Sequence, residues 1–168
     1  KNKYFKFYGL KILQRDFFKN DKILLLNLLK YCKANNLSLE IVLRNKNDKE
    51  EITYFKRLSK NYKIVFHKGT NDEFEIYKIS DQVKATVSSI STFGLENLSR
   101  GNRGAIFNNN VKLTKGILDI LFNLRMTAKG VFWSDKVSYK EIKRVLDFVT
   151  KCSDRKWKNK TNKLIKKI

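Results

Sequence analysis

A chain of 168 residues that is 42% apolar holds enough material for one domain with a good core and too little for two. Its net charge of +21 points to anionic partners, but 29 of its 37 basic residues are Lys and only 8 are Arg, the side chain suited to forked phosphate and base contacts, which disfavours nucleic acid. Cys32 and Cys152 are too few and too far apart for a disulfide framework or a metal site, so a reducing, cytoplasmic setting is expected. No run approaches the roughly 18 apolar residues that span a bilayer, and no signal peptide is visible. The chain opens at Lys1 without Met, which is the expectation for a fragment of a longer protein.

Residues 1–16 alternate basic with aromatic or aliphatic side chains and read as an edge strand or linker. Asn20 or Asp21 can cap a helix carrying Leu24, Leu25, Leu28, Leu29 and Cys32 at helical spacing and ending near Asn35-Asn36. Leu37 to Leu43 reads as a strand. Arg44 and Lys46 follow at its carboxyl end, the edge at which open α/β sheets take ligands, and Arg44 is therefore a candidate partner for a diphosphate.

Asp48 with Glu51 makes a capping box for a helix bearing Ile52, Phe55 and Leu58. Lys63 to Phe66 forms a second strand that His67 closes. His67 is the sole histidine and a candidate ligand contact, although no carboxylate or cysteine cluster neighbours it in sequence. Thr70 with Glu73 offers another box, with Phe74, Ile76, Tyr77 and Ile79 as the buried side of a short helix.

Val83 to Val87 is an apolar, β-branched run, hence a buried strand. Then comes Ser88-Ser89-Ile90-Ser91-Thr92-Phe93-Gly94-Leu95-Glu96-Asn97-Leu98-Ser99-Arg100-Gly101, a hydroxyl-rich turn leading into a helix that Ser91 or Thr92 caps. Gly94 in its first turn permits close approach to the backbone, and Gly101 stands where a helix ends in a left-handed residue. A helix that opens on free amides and hydroxyls directly after a strand suits phosphate.

Arg103 to Phe107 makes the fourth strand, and Asn108-Asn109-Asn110 a polar loop. Val111 to Lys129 has a blurred pattern. Gly130-Val131-Phe132-Trp133 is an apolar segment. Ser138 with Glu141 is a capping box for a helix with Ile142, Val145, Leu146 and Val149 on one stripe. The last helix, about residues 154–168, sets Trp157, Leu164 and Ile168 among lysines. It reads as docking on the domain, with an anionic membrane surface as the alternative partner.

Alternating strands and helices give an α/β class: a Rossmann-like three-layer domain with a mainly parallel sheet and one or two C-terminal helices. The run from Ser91 to Arg103 resembles the STLGYEALARGKK stretch of bacterial surface-carbohydrate and polysaccharide biosynthesis proteins, which are glycosyltransferase-like with the two-domain GT-B architecture. Gly130 to Trp133 resembles their GPFW segment, and a weaker likeness runs from about Asp21 to Trp157. Departures are Ile90 for Asp, Asn97 for Ala and Val131 for Pro.

The resemblance implies that residues 1–168 are the C-terminal, nucleotide-sugar-binding half of such an enzyme. The N-terminal domain, which carries the acceptor site and the catalytic base, would then be missing, and the isolated half inactive. Ser91, Thr92, Phe93 and Gly94 would cradle the diphosphate, Arg44 or Arg100 would balance its charge, and Glu96 would accept from ribose hydroxyls. No metal or other cofactor is called for, and no catalytic residue is assigned. Hydrolase carboxylate pairs, Ser/His/Asp sets, P-loops and zinc spacings are absent. Two other classes stand beside this reading: a basic α/β nucleic-acid-binding module, with Tyr4 to Tyr8 stacking bases, and a catalytically silent scaffold that keeps the fold and has lost its ligand. The expected location is the cytoplasm, with the periphery of the inner membrane as the alternative.

Overall fold

The computed structural model describes residues 4–7, 10–43, 49–59, 62–67, 74–89, 91–110 and 129–165. Strands β1 (Tyr4–Phe7) and β2 (Leu10–Leu13) form an antiparallel hairpin in register from Tyr4 opposite Leu13 to Phe7 opposite Leu10. The basic and aromatic alternation of the first residues thus makes a hairpin. Lys11 Nζ rests 4.5 Å from the Tyr4 ring centre.

Helix α1 (Gln14–Ala34) follows at once. It starts well before the expected cap, because Leu13 opens it with no side-chain cap and Asp16 in the first turn favours the dipole. Asn20 and Asp21 are therefore mid-helix, and their side chains are engaged elsewhere. The helix ends where expected: Asn36 takes a left-handed φ of 50° and Leu37 N–H donates to Cys32 O at 2.9 Å.

Strands β3 (Leu39–Val42) and β4 (Ile64–His67) pair in parallel around helix α2 (Lys49–Ser59). Helix α3 (Glu75–Gln82) leads to β5 (Thr86–Ser88), helix α4 (Thr92–Ser99) and β6 (Gly104–Phe107), with β7 (Trp133–Ser134) beyond. These last three strands make a parallel sheet in the order β5-β6-β7. The α/β class holds, with the parallel strands divided between two small sheets. Helices α5 (Tyr139–Lys151) and α6 (Asp154–Ile165) close the fold.

The layers follow from the period of two along β6, all of whose residues are buried. A side chain on Gly104 would meet Leu98 and Asn97, and one on Gly94 would reach Ile106, so residues 104 and 106 face α4. Ala105 and Phe107 point the other way, into a core shared with Leu24, Leu28 and Tyr31 of α1 and with Ile142, Val145, Leu146 and Val149 of α5. Ser138 Oγ accepts from Glu141 N–H, so the expected cap is the start of α5, while the Glu141 carboxylate accepts from Arg144 and Ser134.

Helix α6 docks through Trp157, which is 2% exposed, packs on Phe132 and Phe148, and donates from Nε1 to Gly101 O at 3.2 Å. Leu164 and Ile168 lie outside what is described of side chains, as do residues 44–48 with Arg44, Lys46 and the Asp48 cap. Residues 68–73 with the Thr70 box, Ile90, and residues 111–128 are likewise outside the description.

Candidate functional site

Helix α4 begins four residues after β5 ends, so its N-terminus stands at the carboxyl edge of the β5-β6-β7 sheet. Ser91 is extended (φ −154°, ψ 134°) and its Oγ accepts from Phe93 N–H at 3.2 Å, while Gly94 N–H donates to Ser91 O at 3.2 Å. Two amides of the first turn are thereby turned onto Ser91 itself. Ser91 and Thr92 are exposed, Phe93 is half-buried, and Gly94 and Leu95 are buried. Gly94 lies against Ser88, which is how the helix comes so close to the strand.

The far end of α4 closes as a Schellman motif. Gly101 has φ +87°, its N–H donates to Leu98 O, and Asn102 N–H donates to Asn97 O. Asn97 stands in the position of the small Ala in the resembled stretch and is fully buried. Its Nδ2 donates to Thr86 Oγ1 at 2.7 Å and its Oδ1 accepts from Asn102 Nδ2 at 3.0 Å, tying α4 to β5 and to its own cap.

Glu96 is exposed and its Oε2 accepts from Tyr77 O–H at 2.5 Å. Arg100 is at the C-cap, a helix length from Ser91, where it pairs with Asp81 Oδ2 at 2.6 Å and lies 5.1 Å from the Tyr77 ring centre. A hydrogen bond from Asn102, followed by that pairing with Arg100, holds the Asp81 carboxyl below its usual range. The structure thus joins Glu96 and Arg100 through Tyr77 and does not bring Arg100 to the cradle. His67, at the end of β4, has a carboxylate neighbour that the sequence order hid: its Nε2 is 2.6 Å from Glu40 Oε2 on the adjacent strand.

A second cluster was not foreseen. Ser89 O–H donates to Asn109 Oδ1 at 2.5 Å, Asn109 Nδ2 donates to Asp21 Oδ1 at 2.7 Å, and Asn20 Nδ2 donates to Asn109 O and to Asn110 Oδ1. Burial pushes the Asp21 carboxyl up, against the Asn109 hydrogen bond that lowers it. The signal was available: Ser88-Ser89 and Asn108 to Asn110 both follow parallel strands that are neighbours, so their side chains share one rim.

Two surface depressions lie elsewhere, about 630 Å³ along α6 by Arg155 and Lys160, and about 310 Å³ along α2 by Tyr54 and Arg57. Each is lined by a single stretch of chain and encloses nothing. The rim at Ser91 has the more suitable chemistry. Among the described residues no three His, Cys, Asp or Glu side chains are grouped to hold a metal ion, and no helix is long and apolar enough to cross a membrane.

No curated protein and no solved structure matches the chain. A family model described as "putative O-antigen biosynthesis protein" matches residues 2–168. The chain belongs to this O-antigen biosynthesis family, in keeping with a place in surface-carbohydrate synthesis.

Proposed function

We propose that the chain is the donor-binding half of a glycosyltransferase-like enzyme of GT-B architecture, holding the diphosphate of a nucleotide sugar at the start of α4. Transfer from such a donor leaves a nucleoside diphosphate, and the site must hold the charge that develops on it. The observation that carries the reading is the placement of Ser91 and Thr92. Both are exposed at the carboxyl edge of a parallel sheet, on the positive end of a helix, in a chain of an O-antigen biosynthesis family.

In this reading an arriving phosphate takes over the Phe93 amide from Ser91 Oγ and accepts from the two hydroxyls. Glu96, one turn in, shares its carboxylate between Tyr77 and the ribose hydroxyls. The acceptor site and general base belong to a preceding domain, so the isolated chain binds donor without turnover. The setting is the cytoplasm, at the inner face of the membrane. Uridine, cytidine and guanosine diphosphates and their sugars, titrated into labelled protein, should shift the amides of Ser91 to Leu95 with one base. If those amides stay still with every nucleotide, and a longer parent protein consumes no nucleotide sugar, the reading fails.

A further inference from the structure

We infer that a row of rings beside the cradle, half-buried at Tyr77 and Phe93 and exposed at Phe74, is the platform on which the nucleobase stacks. This rests on the donor-site reading and adds to it the part of the ligand that those residues recognise. Phe74 occupies the N-cap position of α3 and is 69% exposed. Phe93 is the second residue of α4 and belongs to the cradle itself.

Tyr77 bridges them, with ring centres 6.5 Å from Phe74 and 5.8 Å from Phe93. The planes meet at 44° and 47°, so neither pair is face to face, and the Phe74 end of the row keeps most of its surface in solvent. The row is held in place before any ligand arrives. Tyr77 is fixed at its hydroxyl by Glu96 and over its ring by Arg100, which Asp81 anchors.

Leaving a ring as exposed as Phe74 in water is unfavourable. A base covers such a surface at little entropic cost. Stacking is tolerant of base identity, since every base offers a π-face. The platform therefore adds affinity common to all nucleotides, and choice among bases rests on other groups.

The test compares inorganic pyrophosphate with uridine and guanosine diphosphates by calorimetric titration, on the wild-type chain and on Phe74→Ala and Phe74→Trp. Wild type should bind the nucleotides about 5- to 100-fold more tightly than pyrophosphate. Phe74→Ala should close that gap while pyrophosphate affinity stays the same, and Phe74→Trp should keep it. Base protons should move upfield on binding to wild type and not to Phe74→Ala. Equal affinity for pyrophosphate and nucleotides in wild type, or a gap that survives Phe74→Ala, overturns the platform alone. Failure of both ligands to bind removes the donor site and the platform together.

Discussion

The Ser88 hydroxyl occupies the space that a side chain on Gly94 would need: a Cβ built there falls inside contact distance of Oγ and 3.0 Å from the Ser88 Cβ. The Ser88 side chain is buried, its Oγ has no hydrogen-bond partner among the described residues, and the neighbour it touches is the bare backbone of α4. Gly94→Ala must push the helix off the strand and should cost about 1–3 kcal/mol in urea unfolding, as overpacking does. Removing the Ser88 side chain as well, in Ser88→Gly/Gly94→Ala, should restore most of the loss. A single Gly94→Ala variant as stable as wild type would show that the contact yields freely.

Arg103 ties three elements at once and carries the second prediction. From the start of β6 its guanidinium donates to Val149 O at 2.6 Å, Cys152 O at 2.8 Å and Asp154 Oδ1 at 2.7 Å, so it satisfies the last carbonyls of α5 and the first turn of α6 together. A planar fork makes this set possible, and an ammonium does not. Arg103→Ala should cost about 2–3 kcal/mol in urea unfolding, on the scale of hydrogen bonds to charged groups. Arg103→Lys should recover less than half of it, although the charge is kept. Full recovery by Lys would mean that charge alone holds the α5–α6 junction.

That junction shows which features of the fold could be read from the residues alone. Local rules held where the partner lay within a few residues: Ser91 and Ser138 as caps, Asn35-Asn36 as the end of α1, Gly101 as a left-handed end, and the Ile142 to Val149 stripe as core. They failed where the partner was distant. Asn20 and Asp21 have good capping chemistry, yet α1 runs past them, and they serve a rim that lies some 88 to 90 residues away in the chain. Glu40 reaches His67 across 27 residues by strand register, which no spacing rule reports. Phe74 and Tyr77 read as the buried side of α3, but a helix of 8 residues buries little: Tyr77 is half-buried against Phe93 of α4, and Phe74 is left exposed.

Acid stability should depend on Asp147. Burial by itself would raise this carboxyl, but hydrogen bonds from Lys143, Lys151 and Tyr31 outweigh it and hold the pKa down from 3.8 to about 2. Its folded pKa lies below the unfolded one, so the stability it contributes is present above pH 4 and is lost as pH falls through about 2. The contribution is about 2 kcal/mol before screening of the half-exposed lysines reduces it. Urea unfolding at pH 6 and at pH 2 should show a larger acid loss for wild type than for Asp147→Asn, and the two should converge at the acid end. Parallel pH profiles would show that Asp147 is not held by these bonds.

Ser91 lets helix capping and anion binding be separated. Its Oγ holds the Phe93 amide, so Ser91→Ala should cost about 1 kcal/mol of stability. Ser91→Asp keeps a cap of equal quality and adds a charge that the helix dipole favours, so its stability should match or exceed wild type. A carboxylate at that position, however, fills the seat proposed for a phosphate and repels it. Affinity for uridine diphosphate should then fall at least about tenfold in Ser91→Asp, because a like charge about 4 Å away costs about 1 kcal/mol in bulk water and about 4 kcal/mol near a protein surface. Ser91→Ala should weaken binding less than Ser91→Asp does, although it is the less stable protein. Stability and affinity ranked in the same order across wild type, Ala and Asp would mean that the start of α4 is a folding element without a ligand.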